Sequence, residues 1–335
     1  MPDPKRLSEI IDAMQGRRIV VWGDLVADRF IYGTPKRISR EAPVLILKQY
    51  REDVLPGGGG NAIRNIIALG GIAEPLAVVG RDSVGDALLR TMEESGVDCD
   101  GFLRLERYRT PTKTRVLGGM PHAARQQIVR FDLEDTLELT DDETSQFESR
   151  LQKAIGKADA ALISDYGYGT VEPSLARQLI TAAGGRPVTL DSRYAMLDFP
   201  GVTAATPNED EAAAASGIEL FGGQDEESRL EKAGHSLIRS LEAQALLITR
   251  GSRGMALFEK EKTKALMMPV RGSDQVADVT GAGDTVIATF TLALAAGASF
   301  EDAAHLANYA GGIVVMKMGT ATASAEELRG AIRER

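Results

Sequence analysis

Arg18-Ile19-Val20-Val21-Trp22-Gly23, followed at once by Asp24, is a largely apolar run that ends in glycine and then turns acidic. A strand with one wet face alternates, so this unbroken run reads as a strand buried on both faces of a parallel sheet. Upstream, Leu7–Met14 reads as a short amphipathic helix. Downstream, the glycines at 57–60 open a helix carrying Ile63, Ile66, Ile67 and Leu69, and a strand (Pro75–Gly80) and a helix (Val84–Ser95) follow. From Thr144 the rhythm is regular: a helix to Ile155, strand Ala160–Ser164, helix Pro173–Ala183, strand Pro187–Leu190, a strand near Thr203–Thr206 and a helix from Glu209. Helix Glu227–Leu241, strands Ala245–Thr249, Met255–Glu259 and Lys264–Pro269, and helices at 284–296, 300–317 and 325–333 complete it. Strands alternating with helices predict an α/β fold, three layers with a mostly parallel central sheet covered on both faces.

Two stretches break the rhythm. Residues 29–50 and 110–132 hold short strands with basic residues between them (Arg37, Lys113, Arg115, Arg130), as expected of a small β-sheet lid. No repeat, low-complexity tract or linker is visible, so residues 1–335 read as a single domain.

The chain is 43% hydrophobic and 26% charged with a net charge of −9, which argues against a nucleic-acid or anionic-membrane partner. An anionic ligand must then be met by local arginines and lysines. The single cysteine, Cys99, excludes an internal disulfide and fits a reducing cytosol. Met1–Arg18 lacks the apolar core of a signal peptide, and the longest apolar-leaning run, Val286–Ala298, falls short of a membrane span. A cytoplasmic protein is expected.

The chemistry concentrates at Asp278-Val279-Thr280-Gly281-Ala282-Gly283-Asp284-Thr285. Small residues at 281–283 bare the backbone just before an apolar-periodic helix. A helix start of this kind offers unpaired N–H groups and a positive dipole end to phosphate oxygens. Asp284 would sit in its first turn, either as a dipole-compensating carboxylate or as a base that takes a proton from a hydroxyl attacking the phosphate. Gly57, Gly59 and Ala62 meet the spacing of a dinucleotide loop, but Pro56 and the lack of a clean leading strand argue against it. The alternatives are close backbone approach to a polar ligand, with Asn61 reading hydroxyls, or tight packing of a helix start. Thr206-Pro207-Asn208 with Glu211 is either a capping box or a pair holding hydrated Mg²⁺. Thr249-Arg250-Gly251-Ser252-Arg253-Gly254 is a turn or one wall of a nucleotide pocket. No P-loop, nucleophile elbow or Cys/His cluster occurs, and His122, His235 and His305 read as isolated surface residues.

Taken together these segments resemble the ribokinase-like (PfkB) family of sugar kinases. Gly57–Asn61 with Gly70 and Gly80 is similar to its first signature, Asp278–Asp284 to its second, and Thr206-Pro207-Asn208 with Glu211 to its Mg²⁺ and phosphate motif. Ile63 and Thr289 stand where smaller residues are usual. Within the family, Gly23-Asp24, Asp28-Arg29-Phe30, Tyr32-Gly33, Arg37-Ile38-Ser39, Glu41–Val44 and Ser164-Asp165-Tyr166 resemble the D-glycero-β-D-manno-heptose-7-phosphate kinases of ADP-heptose and lipopolysaccharide precursor synthesis. Arg40 and Asp191-Ser192-Arg193 depart from that group's Pro and Asp-Pro-Lys. With no H-x-G-H motif of the fused nucleotidyltransferase, only the kinase half is expected.

The resemblance implies ATP and Mg²⁺, with phosphorylation of the sugar C1 hydroxyl. A fructose, ribose or nucleoside kinase is the alternative, and a sugar- or nucleotide-binding protein without turnover another. It implies Asp284 as base and the amides of Gly281, Ala282 and Gly283 as the anion cradle. It implies Asp28, Asn61, Gly58, Asp24 and Asp165 at the sugar, and Arg37, Lys113, Arg115 and Arg130 at its phosphate. Arg193 would meet ATP phosphates; Thr249, Gly251, Ser252, Gly254 and Asn308 would line the adenosine site; Asn208 and Glu211 would hold Mg²⁺ through water. A monovalent cation (K⁺) site of the wider family would fall at Asp278 and Thr280. Exposed lid edges predict a homodimer through the lid sheet.

Overall fold

The computed structural model describes residues 2–119, 126–222, 225–271 and 277–333; His122 and Pro121 lie outside them. Helix α1 (Pro4–Ala13) leads into β1 (Arg18–Gly23), after which a long hairpin, β2 (Leu25–Ile38) and β3 (Leu45–Gly58), runs out and returns as α2 (Gly59–Ala68). β4 (Ile72–Leu76), β5 (Val78–Gly80), α3 (Ser83–Glu94) and β6 (Leu103–Leu105) follow, then a second antiparallel pair, β7 (Thr112–Gly118) and β8 (Gln126–Leu133). The rest alternates: α4 (Asp141–Ile155), β9 (Ala160–Asp165), α5 (Pro173–Ala183), β10 (Val188–Ser192), β11 (Ala204–Ala205), α6 (Glu209–Ser216), α7 (Glu226–Ser240), β12 (Ala245–Thr249), β13 (Met255–Glu259) and β14 (Leu266–Met268). Helices α8 (Ala282–Ala295), α9 (Phe300–Val314) and α10 (Ala325–Arg333) close the chain.

The main sheet has the order β14-β13-β12-β11-β10-β9-β1-β4, parallel from β4 to β12 with two antiparallel strands on the far edge. Successive side chains of β1 go to opposite faces. Ile19 and Val21 join a core with α1, α2, α8 and α9, while Val20 and Trp22 join a second with α4, α5 and α7. Two cores on one sheet make the three-layer α/β/α architecture. The apolar run once weighed against a membrane span is the body of α8, buried nearly all round in the first core. Among the described residues no helix is long and apolar enough to cross a membrane.

The lid is a separate sheet of order β3-β2-β7-β8. Two expectations need correcting here. A strand does lead into the glycines, since β3 continues through Pro56 to Gly58, paired with β2 as far as Leu25. It is an antiparallel lid strand and not the parallel strand of a dinucleotide unit. Residues Pro75–Gly80 are also two strands. β4 closes the main sheet as an edge, where a proline is tolerated, and β5 pairs with β6, a three-residue strand too short to show a period.

Candidate active site

Strand order reverses between β1 and β9, because β1 continues to β4 on one side and the later strands build on the other. The crevice beyond the carboxyl ends at such a point is where open α/β sheets take ligands. Helix α8 packs beneath it against β1, β9 and β10 and begins there. Its N-cap, Gly281, has φ +77° and makes no side-chain cap bond. A Cβ at Gly281 would stand 2.4 Å from Asn61 Nδ2, so both backbone and neighbour demand glycine. The Ala282 N–H donates to Val279 O (3.2 Å), which removes it from the expected cradle. Among the described residues the amides of Gly283 and Asp284 stay unpaired, and nothing lies within 4 Å of where a Gly283 Cβ would point. Two free N–H groups at a helix start, facing open space, form an anion site.

Asp284 is buried beside them, with each oxygen held by one donor. Tyr166 Oη donates to Oδ1 (2.7 Å) and Asn61 Nδ2 to Oδ2 (3.1 Å). Burial pushes its carboxyl up to about 7; the two hydrogen bonds and Lys113 pull the other way, and Asp28 adds to the rise. A carboxylate poised near neutrality next to an anion cradle suits a general base. Asn61 therefore serves Asp284 and Gly281 O (3.1 Å) instead of reading a sugar hydroxyl, and Asn65 steadies it from below (3.0 Å to Asn61 O).

Two acids expected at the sugar are committed to the backbone. Asp24 is fully buried and accepts from the amides of Tyr166 (2.8 Å), Tyr168 (3.1 Å) and Thr170 (3.0 Å). Asp165 accepts from Gly167 N (3.0 Å) and Ser192 Oγ (2.6 Å). Both fasten the loop after β9. Gly58 (φ +58°) borders the same loop, where a Cβ would come 3.2 Å from the Tyr166 ring.

On the lid side, Asp28 and Arg115 form a nearly buried ion pair, and the Arg115 guanidinium lies over Phe30, 5.3 Å from the ring centroid. Lys113 is half-buried, 5.4 Å from the Tyr166 centroid, and burial and then Arg193 hold its ammonium below the usual range. Arg37 is exposed on the outer part of β2 and donates to Ile38 O (3.4 Å), away from the crevice. Arg130 is exposed and tied to Asp132 (2.9 Å), because β8 is the lid's outer strand. Arg40 is exposed between β2 and β3.

On the other side of α8's start lies a cavity of about 290 Å³ lined by Thr249, Gly251, Ser252, Gly254, Asn308 and Gly283. All five residues expected at adenosine thus share one wall with the anion cradle. A larger hollow, about 1070 Å³ along α7, touches none of these residues. Asn208 and Glu211 close a capping box (2.9 Å in each direction). Burial nevertheless raises the Glu211 carboxyl. Asp191, which the sequence reading left without a role, is pushed well above the carboxylate range, first by burial and then by Glu211, Asp284 and Asp165. Arg193 faces this acidic group and the rings of Tyr166 (6.0 Å) and Tyr194 (5.8 Å). At Asp278, Oδ1 takes both the amide (2.9 Å) and hydroxyl (2.7 Å) of Thr280, and Oδ2 takes Gly319 N (3.0 Å). Burial would raise this carboxyl, but those bonds outweigh it and hold it below its usual value. The pair clasps the loop that leads into α8. His235 and His305 are half-buried, the first bonded to Thr263 O (3.1 Å). Ile63 and Thr289 are accommodated in the core, Thr289 Oγ1 donating to Thr285 O (2.8 Å).

The fold and the site define a carbohydrate kinase, and the pfkB family carbohydrate kinase profile matches residues 17–328. The chain belongs to that family and is a phosphotransferase with an alcohol acceptor. It is 38% identical to the bifunctional protein HldE of Mesorhizobium japonicum, over 99% of this chain and 65% of that protein. It is 40% identical to HldE of Geobacter sulfurreducens, over 93% of this chain and 62% of that protein. It spans less than two thirds of these relatives. Among solved structures it is similar to Escherichia coli phosphofructokinase-2 in complex with potassium (TM-score 0.75, 21% identity, 96% of this chain and 99% of that one). It is also similar to Arabidopsis thaliana ribokinase with ribose and ATP (TM-score 0.69, 19% identity, 95% and 99% coverage). These establish the ribokinase-like fold.

Proposed function

We propose that this chain acts as one kinase unit in the cytosol, transferring the γ-phosphate of ATP to the C1 hydroxyl of D-glycero-β-D-manno-heptose 7-phosphate. The observation that carries the reading is Asp284, poised near pH 7 beside two free amides and between a nucleotide-sized cavity and the lid. The HldE relatives support the heptose over fructose or ribose. The C1–O–H proton passes to Asp284 as the oxygen bonds to the γ-phosphorus, and the bond to the β-bridging oxygen breaks with its electron pair leaving on ADP. The Gly283 and Asp284 amides meet charge on the transferring group. Lys113, half-buried and in no salt bridge among the described residues, is the lid cation best placed for the sugar phosphate, and Arg193 for ATP.

Among the described residues no three acidic or histidine side chains stand close enough to chelate a metal directly. Asp191 and Glu211, half-buried and mutually repelling, fit a Mg²⁺ held through water, as hard, hydrated cations prefer. When bound, the ion neutralises phosphate charge. The lid sheet exposes Ile38, Val129 and Phe131, with Val44 exposed between β2 and β3, and a homodimer through this sheet would cover them.

The test is product analysis by mass spectrometry with ATP and a panel of heptose 7-phosphate, unphosphorylated heptose, fructose 6-phosphate and ribose. A 1,7-bisphosphate formed only from the first, and lost in Asp284→Asn, is expected. Preferred turnover of fructose 6-phosphate or ribose overturns the substrate, and full activity in Asp284→Asn overturns the base.

A further inference from the structure

Tyr166 takes no part in the bonds made and broken in the transfer, yet much of the site is arranged around it. Its amide is held by Asp24, and the loop beyond it is sewn to the same carboxylate through Tyr168 and Thr170. Asp165, its neighbour, binds the Gly167 amide and Ser192. Gly58 leaves space for its ring. Lys113 from the lid and Arg193 from the nucleotide side both lie within 6.0 Å of the ring centroid. The hydroxyl then ends on Asp284 Oδ1 at 2.7 Å. Asp24, Asp165 and Gly58 each contact Tyr166 or its loop. A loop pinned by two buried carboxylates, and a glycine whose missing side chain leaves room for one aromatic ring, call for a reason beyond packing.

We propose that Tyr166 is a positioning residue for phosphoryl transfer, its hydroxyl fixing Asp284 Oδ1 in the plane that receives the sugar proton while its ring anchors Lys113 and Arg193. The inference rests on the reading of Asp284 as base. A carboxylate oxygen has two lone pairs, so one donor on each oxygen locks rotation and still leaves a lone pair to accept the proton. The hydroxyl remains a donor at working pH, because burial first, and then Asp284 and Asp191, drive its ionisation well above the usual range. Donation to the ionised carboxylate favours that form. The groups facing Asp284 are Tyr166 from the loop after β9, Asn61 from α2, Asp28 from β2, Lys113 from β7 and Asp191 from β10. Among the described residues only Tyr166 and Asn61 touch it through hydrogen bonds; Asp28 pushes its proton affinity up and Lys113 draws it down.

Tyr166→Phe keeps the ring and deletes the donor. With heptose 7-phosphate and Mg·ATP, kcat at pH 7 should fall roughly ten-fold or more while KM for ATP stays within about two-fold, as expected when only a bond to the reacting group is lost. The acid limb of the kcat profile should move to higher pH, so that the deficit shrinks towards pH 9. A kcat within about two-fold of the parent at pH 7, or an equal loss at every pH, overturns the proposal. Asp284→Asn is measured beside it. If that variant is dead while Tyr166→Phe runs at the parental rate, Tyr166 alone loses its role; if Asp284→Asn turns over normally, the base assignment falls and this inference with it. A second measurement needs no substrate: the carboxyl ¹³C resonance of Asp284, identified by its absence in Asp284→Asn, should titrate at higher pH in Tyr166→Phe, and an unchanged midpoint overturns the inference.

Discussion

Asn61 and Asp284 stand 223 residues apart in the chain and 3.1 Å apart in space, the carboxamide of one donating to Oδ2 of the other. The same Nδ2 reaches Gly281 O at 3.1 Å, so one side chain ties the first turn of α2 to the first turn of α8. The lid hairpin ends where α2 begins, and Asp284, the proposed base, lies in the first turn of α8. Their alignment depends on this amide.

Asn61→Asp replaces the donor with a second acid at hydrogen-bond distance. Two carboxylates so close cannot both ionise easily and titrate as a pair. kcat/KM at pH 7 should drop by about 10² or more, the loss typical of a disabled general base. The acid limb of the pH profile should move up by more than about one unit. A parental profile would show that Asn61 does not touch the working base.

Gly281 and Gly283 look alike in sequence and should behave differently. Gly281→Ala forces an alanine to φ +77° with its methyl 2.4 Å from Asn61 Nδ2, and should cost about 1–3 kcal/mol of stability along with most activity. Gly283→Ala has open space and a helical backbone, so its thermal midpoint should hold or rise slightly. Its methyl would enter the cavity wall beside the free amides, so KM for ATP should rise. Thermal melts with ATP kinetics separate the two, and equal melts for both variants would contradict the geometry.

Arg115 and Asp28 keep 12% and 6% of their side-chain surfaces. Arg115→Ala strands a buried carboxylate and should cost about 3–5 kcal/mol in urea unfolding. The double variant Arg115→Met with Asp28→Asn should recover most of that stability but not turnover, as expected if the acid proposed for the sugar is gone. Recovery of activity in the double variant would remove Asp28 from the sugar site.

Much of this was readable in one dimension, and the limits have physical causes. β1, β12, β13 and α5 have the bounds their local patterns announce, because continuous apolar runs and a proline–glycine bracket carry their own signal. The lid strands β2 and β3 run 14 residues each, longer than expected, because their length is set by pairing with each other and not by either pattern alone. The Asp278–Asp284 loop was legible because bare backbone before an apolar helix has few other uses. Asp24 was misread since an acid at a strand's carboxyl end looks the same whether it faces a ligand or holds three amides. Tyr166 was quoted without a role because its partner is 118 residues away.

The exposed apolar side chains of the lid make the dimer testable. Phe131 is 53% exposed on the lid's outer strand and Ile38 is 63% exposed. Phe131→Glu should shift light-scattering mass from dimer to monomer at micromolar concentration while circular dichroism is retained. A monomeric parent protein sinks the homodimer.

Asp284 also sets a pH signature on stability. Its folded pKa of about 7 lies above the ordinary 3.8, so the folded state holds a proton that the unfolded chain has released over that interval. A carboxyl raised in this way contributes stability that is complete below the unfolded value and is lost as pH rises through about 7. Asp284→Asn removes the titration. Without nucleotide or sugar, the melting temperature of the variant minus that of the parent should therefore grow from pH 5 to pH 8 and level off above it. Full desolvation corresponds to a penalty on the order of a few kcal/mol, enough for a shift of several degrees in a chain of this size. The expected outcome is an inactive enzyme that is more heat-stable than its parent at pH 8, with a smaller margin at pH 5. A margin that is flat with pH, or that reverses at pH 8, would mean that Asp284 is ionised without penalty and is no base poised near neutrality.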